Sequence, residues 1–488
     1  MNARLPNIVS LAFLLLAGTL PRGAGAQLIS LKSVPIATGD QFLTLPSSRL
    51  GMANVGIALD DALADPFANP GKGSLIEAPL LVGHPTFYGI SEDSGAGRTL
   101  PITTYFRSDR AFGALSFALQ QIVAGDRRNI VIEDPFPFGR GQTLNETSST
   151  NFYVNGVIGR ELGGGFSLGG GVALAKLNAV DGVEHLYSGN NGLDQSGHTF
   201  DVRTGLFYNK DGRQFEATLV HNRFNMTHDV TWTTIVWDAG PGPGPLVSSR
   251  VDSNLDRTRT WGLHLGFAQP LTESGWRLGG ILTANRKSHP KIPNYRLQSI
   301  PRDPGKSWAY NFGVGLAKTS GPATFGIDLV VEPIWSNTWG EADGPVLTNS
   351  GDTIASGGKT IENDFFFTNV HVRVGLGYDW KRAGIQVGVQ GHSYDYSLDQ
   401  LDNVAQTFRE QEEDWMEWTP SLGAALNLPE VTIRYQGRLT TGTGRPGTGR
   451  GVNVPMADAD FIPAPSGALT LRDARVLTHQ VSVSIPIR

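Results

Sequence analysis

The chain has no cysteine. That excludes a disulfide framework, a thiolate nucleophile and a cysteine-ligated zinc site. Charged residues make up only 17 %, below the ~25 % typical of soluble domains. The formal net charge of -5 comes with no basic block of the kind that nucleic acid selects. After the first two dozen residues, no apolar run approaches the roughly 18 residues that a membrane helix needs. The metalloprotease H-E-x-x-H, nucleophile-elbow G-x-S-x-G and Walker patterns are all missing. Gly442-Thr443-Gly444-Arg445-Pro446-Gly447 does spell G-x-G-x-x-G. It sits in a Gly/Pro/Thr-rich stretch, without the preceding strand and following helix that a dinucleotide site requires. No Ser/His/Asp trio singles itself out, so neither a cofactor nor an enzymatic activity is expected.

What the chain has in excess is glycine, 61 of 488 residues, about twice the usual ~7 %. It also has strict alternation. Val370, Val372, Val374, Leu376 and Tyr378 share one face, and Asn369, His371, Arg373, Gly375 and Gly377 the other. After the polar turn 381–384, Ile385, Val387 and Val389 alternate with Gln386, Gly388 and Gln390. Period two across a short turn is a β-hairpin signal. The pattern recurs in about sixteen runs, from 79–90 through 213–223 and 384–394 to 473–487. Most are near the ~9–11 residues that a tilted membrane strand needs. Short turns such as Asn209-Lys210-Asp211-Gly212 alternate with long polar connections such as 224–256 and 333–365. A closed, even-stranded antiparallel barrel explains that alternation and leaves no unpaired edge in lipid. A soluble sandwich does not. The start reads as a secretory signal peptide: Arg4, the apolar run 8–17, and the small-residue site Ala24-Gly25-Ala26. The expected organisation is therefore a signal peptide over 1–26, an N-terminal segment over 27–76, and a transmembrane barrel over 77–488.

Side-chain parity then divides the wall. Trp261, Leu263, Leu265 and Phe267 read as lipid-facing, as do Phe325, Ile327, Leu329 and Val331. Trp276, Trp308, Tyr310, Trp380, Trp415 and Trp418 suit interfacial girdles. His371, Arg373, Arg434, Arg438 and Asp328 fall on the lumen side and predict a polar interior. Trp232, Ile235 and Trp237 in a long loop, together with Phe366 at the upper rim, are the candidate binders of an apolar substrate. An extension of the wall is the alternative for 231–237. The acidic run Glu410, Glu412, Glu413 and Asp414 reads either as a solvated loop face or as a site for a hard cation that bridges lipopolysaccharide. No resident metal is expected.

Residues 49–71 contain the Gly-rich run from Arg49 to Gly56, Asp60-Asp61, Phe67, and Asn69-Pro70. This stretch resembles the N-terminal hatch of the FadL-type outer-membrane transporters of hydrophobic compounds, the long-chain fatty-acid transporter-like barrels. Gly71-Lys72 stands where that family usually has Ala-Gly. The resemblance implies a plugged barrel, with fourteen strands as the alternative count and Asn69 and Pro70 as hatch residues. It also implies passive uptake of fatty-acid-like or aromatic molecules across the outer membrane of a Gram-negative-type bacterium. The expected partners are outer-membrane lipid, lipopolysaccharide and a hydrophobic small molecule, with no nucleic acid and a monomeric state. A polar-solute porin, or a non-transporting scaffold barrel in secretion, are the other readings.

Overall fold

Every one of the sixteen runs becomes a stave of one closed sheet. The structure, a computed structural model, describes residues 28–29, 37–91, 95–130, 141–183, 192–236, 246–271, 275–289, 305–342, 344–446 and 471–487. The signal-peptide reading of 1–26 and Trp237 lie outside them. The wall begins with β1 (Leu80–Gly83), β2 (Thr86–Ile90), β3 (Ala96–Arg107), β4 (Ala111–Ile130), β5 (Gly141–Gly163) and β6 (Phe166–Leu177). It continues through β7 (Gly192–Lys210), β8 (Arg213–Val236), β9 (Leu246–Pro270), β10 (Trp276–His289), β11 (Gly305–Ser320) and β12 (Ala323–Glu341). The small hairpin β13 (Val346–Leu347) and β14 (Thr353–Ile354) sits apart from the wall, within the connection to β15 (Lys359–Asp379). The wall closes with β16 (Ala383–Asp402), β17 (Thr407–Asn427), β18 (Thr432–Pro446) and β19 (Leu471–Pro486).

All pairings are antiparallel; they join successive strands along the wall, and β1 and β2 each pair with both β3 and β19, the last strand, which closes the ring. They are two halves of a single stave, which makes sixteen rather than fourteen. The break falls at His84-Pro85 because proline has no N–H to give the ladder. Register survives it: Gly83 faces Ile102 and Thr86 faces Thr99. The Pro85 carbonyl still accepts from Val481 N–H at 3.0 Å.

The hairpin ends follow from local chemistry. Asp211 and Gly212 both have positive φ, 52° and 74°, as the two-residue turn between right-twisted strands demands. All such short turns lie at the rim that also holds Leu80 and Pro486, paired to each other. Long connections lie at the opposite rim, which in barrels of this layout faces outward from the cell.

Apolar side chains cover the outside. Leu219, Leu263, Phe312, Val314, Leu376 and Leu422 are all exposed to the surroundings, while neighbours of opposite parity such as Thr218, His264, Asn311 and Gln436 are buried. Such a band is stable only in lipid. Leu263→Arg is expected to cost about 2–4 kcal/mol, as a charge on a lipid face does. Urea-induced unfolding from lipid vesicles, followed by tryptophan fluorescence, measures it. Trp415 departs from its expected place. Its parity is inward, and it packs against buried Phe365, Phe367 and Leu398 rather than on the girdle.

Candidate functional site

The site is built where residues 37–76 meet the inner wall. This segment holds little regular structure: a four-residue helix, Asp65–Ala68, and two 3-10 turns, Leu50–Met52 and Pro70–Leu75. Its free backbone groups therefore need partners elsewhere, and inward-facing strand residues supply them. Gly56 N–H donates to Asp328 on β12 at 2.8 Å, and the Tyr105 hydroxyl on β3 donates to the Leu63 carbonyl at 2.6 Å. Gln386 on β16 donates to the Ser48 carbonyl at 2.9 Å, and Ser421 on β17 to the Gly51 carbonyl at 3.1 Å. Arg438 Nε on β18 donates to Asp40 at 2.7 Å.

Wall glycines permit this closeness. A Cβ on Gly388 would stand 2.6 Å from the Ala53 nitrogen, and one on Gly326 2.6 Å from Val55 Cγ1. A Cβ on Gly375 would meet the Met52 carbonyl oxygen at 2.5 Å, and one on Gly169 the Pro70 oxygen at the same distance. The inward glycines of the alternating runs are thus a seat for backbone.

On the β8–β10 side the contact is ionic. Lys72 Nζ lies 3.1 Å from Asp65, 3.2 Å from Glu216 on β8 and 3.9 Å from Asp60. Asp60 in turn holds Arg277 of β10 at 2.9 Å and accepts from Gln214 at 2.9 Å. Asn69 Nδ2 donates to Glu216 at 3.0 Å, while its own Oδ1 accepts from Gly71 N–H at 2.9 Å, capping the turn that presents Lys72. Pro70 follows at the first position of that turn, where its missing N–H costs nothing. Burial pushes the Asp65 carboxyl up to about 7; Lys72 opposes the rise, and Asp60, Asp61 and Glu216 add to it. Burial alone would discharge Lys72, but Asp65, Glu216 and Asp60 outweigh it and hold the ammonium far above the ordinary lysine range. Burial likewise acts to raise Asp60, yet Lys72 and Arg277 bring it below the usual carboxylate value.

Above this floor lie two apolar regions. A cavity of about 80 Å³ opens between the segment and strands β5–β7, lined by Phe42, Leu45, Phe67, Tyr153, Val157 and Ala175 among others. Arg203 stands at its polar end, but its charge is already met: Nε donates to Asp201 at 2.6 Å and an Nη to the Phe67 carbonyl at 3.1 Å. On the far side, Ala309, Ile334, Phe365, Phe367 and Leu398 enclose Ile29. The Ile29 N–H donates to Asn285 at 2.8 Å. Between that cluster and the floor runs a polar tier. Asn369 donates to Glu332 at 3.2 Å, His371 stacks on His392 with centroids 3.7 Å apart, and Tyr394 donates to Glu417 at 2.6 Å.

The lumen-side residues expected from sequence are brought to the interior. Asp328 pairs in register with Arg373. Arg434 lines a polar cavity beside Ser48 and Arg49, and Arg438 and His371 are placed as above. Of the expected apolar binders, Trp232, Ile235 and Phe366 fall in described strands, β8 and β15, and Trp237 lies outside the described residues. Trp232 and Ile235 belong to β8, whose ladder with β9 continues to Val236, so the stretch prolongs the wall. Phe366 points outward and packs on Trp335 at 5.2 Å, while Phe365 and Phe367 point inward. The acidic run is split, with Glu410 and Asp414 exposed on the outer face and Gln411 buried on the inner one. Sequence reasoning missed Lys72, Glu216 and Arg277, which meet across more than a hundred residues of chain.

No family model matches this chain, and no curated protein is similar to it in sequence. Among solved structures it is similar to a FadL homologue of Pseudomonas aeruginosa, with TM-score 0.45 and 11% identity over 94% of this chain and 100% of that one. It is also similar to the toluene transporter TodX of Pseudomonas putida, with TM-score 0.40 and 9% identity over 90% and 98%. The toluene transporter TbuX of Ralstonia pickettii gives TM-score 0.36 and 10% identity over 90% and 97%. At these values the likeness is one of barrel architecture, and it says nothing about substrate.

Proposed function

We propose that the protein sits in the outer membrane of a Gram-negative-type bacterium and takes up hydrophobic small molecules passively. In this reading residues 27–76 act as a hatch in the barrel formed by 77–488. What carries the proposal is the placement of an apolar cavity between residues 37–76 and the β5–β7 wall. An empty sixteen-stranded ring would be an aqueous channel. Here hydrogen bonds, seat glycines and a buried ionic cluster tie the segment to strands around the ring, which argues against the polar-solute porin. The ligand would enter from the long-loop rim, rest against Phe42, Phe67 and Tyr153, and leave when the segment gives way. The gradient supplies the drive.

The test is uptake of a fluorescent apolar probe into proteoliposomes, beside single-channel recording in planar bilayers. Uptake without large steady conductance is the expected pair of results; large conductance in the intact chain overturns the proposal. Filling the cavity by Ala175→Trp takes the space in which the ligand would rest and is expected to slow uptake roughly tenfold, the equivalent of about 1.4 kcal/mol of lost binding. Conductance should stay low.

A further inference from the structure

We propose that the outer face of β8–β11, just above the lipid-facing aromatic row, binds a phosphorylated glycolipid of the outer leaflet. Side chains on this face register in cross-strand rows. One row runs His221, Trp261, Arg286, Trp308, Trp335, through successive pairings from β8 to β12. It is aromatic in character: His221 stacks on Trp261 at 4.1 Å, and Arg286 lies over the Trp308 ring at 5.6 Å. Below it, toward the short turns, the same parity is apolar and exposed at Leu219, Leu263 and Leu282. Such an aromatic row marks the boundary between acyl chains and headgroups.

One step nearer the long-loop rim the character changes to cationic. Arg223 of β8 stands directly opposite Arg259 of β9, and Ser288 of β10 links Arg259 to Lys306 of β11 in register. Arg257, one outward position beyond Arg259, adds a further charge. All of these, with Arg286, are exposed. Lys176 of β6 and His198 of β7, paired to each other and exposed, prolong the patch. Like charges directly opposite on paired strands destabilise a sheet. No carboxylate among the described residues forms an ion pair with Arg223, Arg257, Arg259, Arg286 or Lys306. The repulsion is relieved if an anion lies across them.

Four strands at ~4.8 Å spacing spread these cations over about 15 Å. One phosphate cannot reach across that width, whereas a glycolipid carrying two well-separated phosphates can. The side of the membrane also agrees, because the patch is at the long-loop rim, which faces the outer leaflet. Arginine forks match phosphate oxygens in bidentate geometry. Neither the cavity nor the uptake reading is needed for this site.

The experiment uses the full chain in detergent, with native mass spectrometry of bound lipid A and phosphatidylglycerol added in competition. The wild type is expected to retain lipid A selectively. The R223Q/R259Q/K306Q variant is expected to bind it roughly a hundredfold more weakly, since each basic side chain near an anionic lipid surface is worth about a factor of five. A control variant, R110Q/K381Q/R382Q, removes the same charge at the short-turn rim and should bind like the wild type. Heat-modifiable gel mobility checks that each barrel is folded. Equal weakening in both variants would reduce the effect to net charge, and unchanged binding in the first would remove the site. Equal retention of phosphatidylglycerol would show that two phosphates are not what is read. Each of these three results overturns the proposal.

Discussion

Deleting residues 37–76 is expected to turn a barrel of low conductance into an open pore. The argument starts from the strand count, because an empty ring of sixteen strands leaves an aqueous bore. The inner wall that the deletion uncovers is wettable: Thr103, Gln120, Thr218, Gln436 and Gln480 are buried polar residues facing inward. Gln436 Nε2, for example, donates to the Ser47 carbonyl at 3.3 Å and would turn to water instead. The seat glycines would leave the bore wide at its floor. The wall itself needs no contact from the segment to close, since every stave is paired on both sides by its own neighbours. Planar-bilayer recording of the deletion variant should give steady channels, with ion flux at least roughly tenfold above the full chain, as porin-like rings conduct. If the deletion variant assembles as a heat-modifiable barrel and conducts no better than the full chain, residues 37–76 do not close the lumen.

Much of this wall could be read from the sequence, and the reason is lipid. Where a strand touches acyl chains, one face must be oily and the other cannot be, so period two stands out in Val370 to Tyr378. Above the membrane that pressure ends. Strand β8 runs on from residue 223, where its alternation fades, to Val236, through Asn225, His228 and Asp229. These residues are polar whichever way they point, so the long upper walls read as loops. Parity was available and decides two other positions. Counting back by twos from Val370 puts Phe366 outside, and counting from Leu422 puts Trp415 inside, which is where both lie. Attention to aromatic clustering alone hid this. The floor was not legible for a different reason. A glycine at 326 or 388 shows only that no side chain is there; what fills the space is set by Val55 and Ala53, hundreds of residues away. Lys72 reads as a departure from a familiar pattern, yet it is the cation that makes buried Asp65 and half-buried Asp60 and Glu216 tolerable side by side.

Replacing that cation should therefore have the largest effect of any single side chain in the floor. Lys72→Met leaves buried Asp65 and half-buried Asp60 and Glu216 without their shared ammonium, and removing one partner from a buried ionic cluster costs about 3–5 kcal/mol. Arg277 still covers Asp60, so the burden falls on Asp65 and Glu216. The sign with pH follows from Asp65. Its carboxyl is raised from 3.8 to about 7 in the folded chain, so its contribution to seating is complete below 3.8 and is lost as pH rises through about 7. Without Lys72 the opposing pull disappears, and the loss becomes larger and extends to higher pH. The Lys72→Met protein is expected to stay closed at pH ~5 and to leak at pH ~8, with open probability up roughly a hundred- to thousandfold over wild type. Asp65→Asn in the same background keeps an oxygen to accept Asp61 N–H, which now lies 3.1 Å away, while discarding the charge. It should restore closure at pH ~8. Asp60 works in the opposite sense in the wild type: burial acts to raise it, but Lys72 and Arg277 hold it low, so its contribution is lost only as pH falls below the ordinary carboxylate range; in the Lys72→Met protein Arg277 and Gln214 are left to oppose its burial. Conductance of Lys72→Met that is equal at the two pH values, or a leak at pH ~8 that Asp65→Asn does not reduce, would show that the seating of this segment does not depend on the buried charges.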